Sequence, residues 1–156
     1  MARISLVSPL GPLTLREERG ALASLTWEGP ANGFGREAAP TSPLLAAAKD
    51  QLEAYFTGRL DRFDLPLAPA GTRFQRSVWE LLAEVPYGAT DSYGSLARRL
   101  RTAPRAVGAA CARNPIPIVI PCHRVLGAGE RLGGYSGRGG LETKRFLLRL
   151  EGTSAP

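Results

Sequence analysis

The chain has 156 residues and is 44% hydrophobic, which fits one globular domain or two small ones. No apolar run approaches the roughly 18 residues of a membrane span, and no N-terminal signal peptide is recognisable, so we expect a cytoplasmic protein without membrane contact. The net charge of +6 is uneven: residues 1–71 contain seven basic and eight acidic residues, and residues 72–156 contain thirteen and six.

The beginning of the chain predicts antiparallel strands. Apolar and polar residues alternate around Ile4 and Leu6, and again around Leu13 and Leu15, with turn residues between the two segments. A third strand is predicted up to Trp27. These three strands predict a small antiparallel sheet.

A helix is predicted next, after a loop over residues 28–41 that is rich in glycine, proline and alanine. The helix begins at Ser42, with proline at its first position, and ends at Gly58. Phe63 and Leu65 then suggest one more short strand. Together the elements predict an α/β first domain.

The segment Pro66–Gly71 has the composition of a linker and coincides with the change in charge. We therefore predict two domains, 1–71 and 72–156. Eighteen of the twenty basic residues are arginine, whose planar guanidinium suits phosphate oxygens, so the basic second domain indicates a nucleic-acid partner.

The second domain is predicted to be mainly helical. Thr72 and Gln75 form a capping-box pattern at the start of an amphipathic helix. Two short helices, over 92–100 and about 103–113, suggest a helix-turn-helix. A glycine-rich loop over 127–140 precedes a closing helix over 141–151, shown by the apolar residues Leu141, Phe146, Leu147 and Leu150.

Cys122 is the strongest candidate for chemistry. It lies between an apolar run and His123, the only histidine of the chain, and Arg124 follows. Basic neighbours favour the reactive thiolate, whereas the alternative is a buried structural cysteine. Cys122 and His123 are expected to lie on an extended segment, where neighbouring side chains point to opposite sides. With Cys111 as the only other cysteine, there are too few ligands for a closed zinc site, and neither a metal nor another cofactor is predicted.

The segment Asn114–Val125, with sequence NPIPIVIPCHRV, closely resembles the active-site segment of the O6-alkylguanine-DNA alkyltransferases. The resemblance extends from about Phe74 to Gly152 through FQRSVW, PYG, SY, RAVG, GYS and LRLEG. Residues 1–71 are compatible with the family only in length and pattern. The resemblance implies a ribonuclease-H-like α/β domain followed by a winged helix-turn-helix domain, and irreversible transfer of an alkyl group from guanine O6, and also from thymine O4, to cysteine.

The resemblance also implies catalytic roles. Cys122 would accept the alkyl group, His123 would act as a base through water, and Glu151 would orient His123. Asn114 would hold the turn that presents Cys122. Tyr93 would press on the target phosphate and donate a proton to the leaving guanine.

The resemblance further implies that the partner is double-stranded DNA, with the second short helix in the minor groove. The predicted DNA contacts, besides Tyr93, are Arg105, Ala106, Gly108, Ala109, Arg113 and Arg124. Arg105 would fill the gap left by the extruded base, although Arg101 competes for this role. The predicted substrate pocket consists of Val125, Tyr135, Ser136, Pro117 and Cys111, and the role of Arg138 stays open.

Three alternatives differ in stoichiometry. A lesion-binding alkyltransferase-like protein or a winged-helix transcription factor transfers nothing, and a thiol hydrolase turns over many times. Cys122 argues against the lesion-binding class, which lacks the acceptor cysteine. We expect a monomer in solution, and cooperative binding along DNA is left open.

Overall fold

A computed structural model describes residues 2–29 and 42–153. Residues 30–41 of the predicted loop lie outside the described residues. The chain divides into two compact units, Met1–Ala70 and Gly71–Pro156. No helix among the described residues is long and apolar enough to cross a bilayer.

The first unit contains the predicted antiparallel sheet, in the strand order β1 (Ala2–Ser8), β2 (Gly11–Glu18) and β3 (Ala21–Thr26). Its register pairs apolar residues of neighbouring strands: Ile4 with Leu15, Leu6 with Leu13, and Leu15 with Leu25. All of them are buried, because side chains two residues apart point to the same face of a strand.

Helix α1 (Pro43–Phe56) packs on this sheet. The Ser42 hydroxyl accepts a hydrogen bond from the Leu45 amide at 3.1 Å and so caps the helix as predicted. The buried face of the helix consists of Leu45, Ala48, Leu52 and Tyr55. The sheet and this helix form the core of the first unit.

The predicted strand around Phe63 and Leu65 is wrong. The Asp64 amide donates to the Gln51 side chain at 2.9 Å, and Gln51 donates back to the Asp64 carbonyl at 3.0 Å. A side chain of α1 thus takes the backbone groups that a strand would pair. Only a single bridge joins the segment to the sheet, at Leu67 opposite Leu22.

The second unit begins with α2 (Arg73–Ala83), whose capping box is formed as predicted. The Thr72 hydroxyl accepts from the Gln75 amide at 3.1 Å, and the Gln75 side chain accepts from the Thr72 amide at 3.0 Å. The buried Trp79 indole donates to the Ala110 carbonyl at 2.9 Å. This bond fixes α2 against the second of the two short helices.

The two short helices are α3 (Tyr93–Leu100) and α4 (Pro104–Ala112), joined by a turn in which Arg101 is left-handed (φ 56°). They pack on each other as the helix-turn-helix prediction requires. A short parallel ladder of β4 (Asp91–Ser92) and β5 (Val125–Leu126) lies beside them, and α5 (Leu141–Leu150) closes the unit. An α/β unit followed by a mainly helical unit confirms the predicted fold class.

Candidate active site

Asn114 organises the turn that leads to Cys122. Its side-chain amide donates to the Ile120 carbonyl at 2.8 Å, and its side-chain oxygen accepts from the Ile116 amide at 2.9 Å. The Ile120 amide also donates to the Ile116 carbonyl at 2.9 Å. One buried amide side chain therefore ties both ends of this turn together.

The turn contains an unusual backbone conformation at Ile118, whose φ is +76° and whose side chain is fully buried. A positive φ is sterically costly for a β-branched residue and persists only where the surroundings impose it. Burial of the neighbouring apolar side chains and the bonds of Asn114 supply that constraint. The backbone entering the Cys122 segment is thus held in a strained conformation.

Cys122 does not lie on an extended segment, which corrects the expectation from the sequence. Cys122–Arg124 form a single 3₁₀ turn, and the Cys122 amide donates to the Ile120 carbonyl at 2.8 Å across Pro121. The residues around Pro121 therefore make a tight turn into this segment. Its three side chains are all buried.

His123, Arg124 and Glu151 form a buried cluster around one carboxylate. Nε2 of His123 lies 2.7 Å from Oε2 of Glu151. Arg124 donates from Nε to Oε1 at 2.7 Å and from Nη2 to Oε2 at 3.0 Å, and its Nη1 donates to the Val85 carbonyl at 2.7 Å. The two Arg124 bonds fix the orientation of the carboxylate that faces His123.

This cluster determines which nitrogen of His123 can accept a proton. A carboxylate only accepts hydrogen bonds, so the Glu151 contact assigns the proton of neutral His123 to Nε2 and leaves the lone pair on Nδ1. Nδ1 is buried and has no hydrogen-bond partner among residues 2–29 and 42–153. Burial lowers the pKa of His123, an effect that outweighs the opposing influence of Glu151. The imidazole is therefore neutral near pH 7 and available as a base.

The Cys122 thiol is protonated at rest, contrary to the inference from its basic neighbours. Burial raises the pKa of this cysteine, and the opposing influences of the Asn114 side chain and of the Lys144 charge are smaller. The basic residues beside it in sequence do not help, because Arg124 and His123 both face Glu151. A base is needed to generate the thiolate.

Lys144 is a residue of the site that the sequence reasoning missed. Its side chain is completely buried, and its ammonium donates to the Val125 carbonyl at 2.6 Å and to the Gly134 carbonyl at 3.1 Å. A signal was present in the sequence, because Lys144 shares the apolar face of α5 with Leu147 and Leu148. A lysine on a buried helix face requires polar partners.

A cavity of about 800 Å³ opens beside Cys122 within the second unit. Its volume lies in the range of small-molecule sites, so it can hold a single nucleobase. Of the predicted residues, it is lined by Cys122, Tyr93, Arg105, Gly108, Cys111, Tyr135 and Ser136. The predicted acceptor and much of the predicted pocket are therefore brought together.

Tyr93 and the glycine-rich loop meet at one wall of this cavity. Gly133 has φ +70°, and a Cβ on it would come within 3.0 Å of the Tyr93 ring. Glycine is needed here because of both the backbone conformation and the close approach. Burial raises the pKa of Tyr93 to about 12, so its hydroxyl keeps its proton. The Tyr135 hydroxyl is buried and has no hydrogen-bond partner among the described residues.

Two predicted pocket residues do not line the cavity. Pro117 is buried in the turn before Cys122, where it forms a bridge with Ile120. Val125 is fully buried in β5, and its carbonyl accepts a bond from Lys144. A carbonyl has two lone pairs, so this bond leaves Val125 one further acceptor position.

The predicted DNA contacts of α4 share one exposed side. Arg105, Ala109 and Arg113 are exposed, and Ala106 and Gly108 are half-buried. Arg105 lines the cavity, whereas Arg101 is exposed in the preceding turn and is not among the lining residues. The geometry favours Arg105 over Arg101 as the residue beside an extruded base.

The structure buries Arg124, which the sequence predicted as a DNA contact. Its side chain is only 9% exposed, and its guanidinium is bonded to Glu151 and to the Val85 carbonyl. The guanidinium also lies 5.8 Å from the centre of the Tyr87 ring. Arg124 therefore positions the Glu151 carboxylate, and a sequence pattern alone did not distinguish this inward cation from a surface one.

Both cysteines are free thiols. Within residues 2–29 and 42–153, no group of three or more His, Cys, Asp or Glu side chains is placed to hold a metal ion. Cys111 and Cys122 both line the cavity, so two thiols face the same space.

Comparison with known proteins gives the same family for both units. Residues 1–69 match the ribonuclease-like domain of 6-O-methylguanine DNA methyltransferase, and residues 73–153 match its DNA binding domain. The chain is 45% identical over 153 residues to a methylated-DNA–protein-cysteine methyltransferase of Methanosarcina acetivorans, covering 94% of this chain and 95% of that protein. The Mycobacterium tuberculosis protein of the same name is 44% identical over 156 residues, covering 96% and 91%.

Solved structures agree with these matches. The crystal structure of the M. tuberculosis O6-methylguanine methyltransferase has a TM-score of 0.82 at 42% identity, covering 100% of this chain and 96% of that one. A structure titled M. tuberculosis OGT in complex with DNA has a TM-score of 0.81 at 44% identity, covering 97% and 93%. The likeness extends over both units, including the ribonuclease-like first domain.

Proposed function

The chain belongs to the 6-O-methylguanine DNA methyltransferase family, and from this premise we propose that it repairs DNA by moving an alkyl group from an alkylated base onto its own Cys122. The observation that carries this assignment is the opening of Cys122 into a cavity large enough for a nucleobase, beside a buried histidine–carboxylate pair. The transfer is irreversible, and each molecule reacts once. Residues 1–71 form the structural domain, and residues 72–156 bind DNA and perform the transfer.

The thiolate forms through a relay. We assign Nδ1 of His123 as the base that removes the Cys122 proton through a bridging water, because Nε2 is held by Glu151. Glu151 stabilises the imidazolium that results. The raised pKa of Cys122 supports this step, since the resting thiol does not ionise by itself at neutral pH.

The transfer itself is a displacement at carbon. The Cys122 sulfur forms a bond to the alkyl carbon, the bond from that carbon to guanine O6 breaks, and its electron pair stays on the guanine. Tyr93 lines the cavity and keeps its proton, so it serves as the donor to the leaving base. The net products are S-alkylcysteine and neutral guanine, and in the overall balance the thiol proton replaces the one that Tyr93 gives to guanine.

The substrate base must leave the helix to reach Cys122, because a base atom inside a duplex is beyond the reach of a buried side chain. The exposed side of α4 carries Arg105 and Arg113 around small residues, which suits close approach to a groove with contacts to the DNA backbone. Arg105 lies at the cavity and fills the space of the extruded base. Binding of this type depends on salt and little on sequence.

The finer assignments rest on the same site. O6-alkylguanine is the proposed substrate, with O4-alkylthymine as a second one. Every side chain of the proposed relay comes from one chain, which suits a monomer. The two free thiols suit a reducing compartment, and we place the protein in the cytoplasm.

The test is a single-turnover experiment. The protein is mixed with duplex DNA that contains one O6-methylguanine, and its intact mass and the mass of the Cys122 peptide are measured. One methyl group on Cys122 with restored DNA supports the proposal. Tight binding by an unmodified protein indicates lesion recognition without transfer, and repeated turnover indicates a hydrolase.

A further inference from the structure

Lys144 is a buried cation without a carboxylate partner among the described residues. Its side chain has no solvent exposure, and its described bonds go to two backbone carbonyls. Its nitrogen also lies 5.7 Å from the centre of the Tyr93 ring. No ion pair is formed by Lys144 within the described part of the chain. Burying an ammonium group in this way costs free energy, so we expect the buried Lys144 charge to have a function.

The contacts of Lys144 connect three segments around the cavity: the strand after the Cys122 turn, the glycine-rich loop and the start of α3. Val125 belongs to the strand that follows the Cys122 turn, and Gly134 directly precedes the cavity residues Tyr135 and Ser136. Tyr93 begins α3 and approaches the same loop at Gly133. A single ammonium thus fixes the glycine-rich loop against the Cys122 segment and beside the proposed proton donor.

Lys144 is also the cation whose charge favours the Cys122 thiolate. The guanidinium of Arg124 and the imidazole of His123 are both directed to Glu151. The charge of Lys144 interacts with three titratable groups: Cys122, Cys111 and His123. The aromatic ring of Tyr93 also lies close to the ammonium. In a site shielded from water, a positive charge stabilises a nearby anion more strongly than it does in solvent.

We propose that Lys144 is a positioning residue of the alkyl transfer, which holds the loop bearing Tyr135 and Ser136 in place and stabilises the Cys122 thiolate with its charge. This role rests on the function proposed above. Burial lowers the pKa of Lys144 to about 8, while the two cysteines oppose that shift when they ionise. The ammonium is present below that pH and is lost above it, so the transfer rate should decline on the alkaline side.

The experiment compares Lys144→Met, which removes the charge, with Lys144→Arg, which keeps it. Arg149→Met is the matched control, because it removes an exposed positive charge from the same helix. Two rates are measured from pH 6 to pH 10: single-turnover methyl transfer from O6-methylguanine DNA, and alkylation of Cys122 by iodoacetamide without DNA. The rate of iodoacetamide alkylation measures how readily the Cys122 thiolate forms, even if the protein does not react with DNA.

We expect Lys144→Met to slow both reactions at pH 7.5 by about tenfold or more, the equivalent of one pKa unit of thiolate stabilisation. Its iodoacetamide profile should shift to higher pH. Lys144→Arg should regain part of the rate and lose the alkaline decline, and the Arg149→Met variant should match the unmodified protein. A purely structural role would change the melting temperature without moving the pH profile.

A folded Lys144→Met variant with unchanged rates and pH profile overturns the proposal. If Lys144→Met does not fold, the Lys144→Arg variant provides the test. A decline of its transfer rate at alkaline pH that is identical to that of the unmodified protein also overturns the proposal. Failure of the proposed function gives a different result, in which the unmodified protein takes no methyl group from DNA while the iodoacetamide profiles still respond to Lys144.

Discussion

The carboxylate of Glu151 lies 2.7 Å from Nε2 of His123, although the two residues are 28 positions apart in the chain. Both side chains have no solvent exposure. This contact occupies one ring nitrogen and leaves the other, Nδ1, for the proton transfer that we propose. Arg124 secures the same carboxylate from its other side.

Replacement of Glu151 by glutamine tests this relationship. The glutamine would keep the size of the side chain but not its charge, so the imidazolium would lose its stabilisation. We expect Glu151→Gln to slow methyl transfer by about a hundredfold, within the usual contribution of acid–base catalysis, and to weaken its pH dependence. Rapid-quench kinetics would measure this rate. Glu142→Gln is the matched control, because Glu142 is an exposed acid of α5. Unchanged kinetics in Glu151→Gln would remove the relay from the mechanism.

Replacement of the proposed acceptor separates binding from transfer. Cys122→Ala should transfer no methyl group and should still bind duplex DNA containing O6-methylguanine, because the cavity walls other than Cys122 are retained. Peptide mass and a binding titration would measure the two properties. Cys111→Ala should still accept one methyl group per molecule. Methyl transfer by Cys122→Ala would instead assign Cys111, whose thiol lines the same cavity, as an acceptor.

We expect Arg105 to contribute to the extrusion of the base from the duplex and not to the methyl transfer itself. Arg105→Ala should slow repair of duplex DNA more than reaction with free O6-methylguanine, since only the duplex requires an extruded base to be replaced. The ratio of the two rates is the measurement. Arg101→Ala is the comparison, because Arg101 is exposed in the turn and is absent from the lining of the cavity. Equal slowing on both substrates would argue against the role of Arg105.

Asn114 is expected to matter for stability and for transfer together. Asn114→Ala leaves the buried Ile116 amide without its partner and removes one of the two hydrogen bonds to the Ile120 carbonyl, at a cost of about 1–3 kcal/mol. Urea unfolding would measure this loss. Asn114→Asp keeps the acceptor for the Ile116 amide but places an acceptor against the Ile120 carbonyl, so it should not restore the lost stability. A fully stable Asn114→Ala variant would mean that the turn does not depend on this side chain.

Acid conditions are expected to affect both rate and stability through His123. Its pKa in the folded protein lies below the ordinary value of 6.5, because burial disfavours the charged ring. As the pH falls, His123 therefore binds its proton in the unfolded chain at a higher pH than in the folded protein. The contribution of neutral His123 to the free energy of unfolding is present above pH 6.5 and is lost as the pH falls below it. The transfer rate should fall only at a lower pH, near the folded pKa. A pH–rate profile would measure this order, and a rate that already halves at about pH 6.5, the ordinary pKa of histidine, would contradict it.

The sequence by itself determined the fold class, the capped helices and the candidate acceptor. These features depend on local patterns: alternation in β1 and β2, the Ser42 and Thr72 caps, and the residues around Cys122. The predicted strand at Phe63 and Leu65 does not form, because Gln51 of α1, which lies earlier in the chain, hydrogen-bonds to the backbone groups of Asp64.

Only the tertiary structure determined which charged groups act on Cys122. The sequence places Arg124 and His123 beside Cys122, yet both face Glu151, and the cation that acts on the thiol is Lys144, which lies much later in the chain. Burial then raised the pKa of Cys122 where its neighbours in sequence suggested the opposite. The physical reason is that hydrogen bonding and desolvation depend on positions in space, and the direction of a long side chain is set by the partners that folding brings to it.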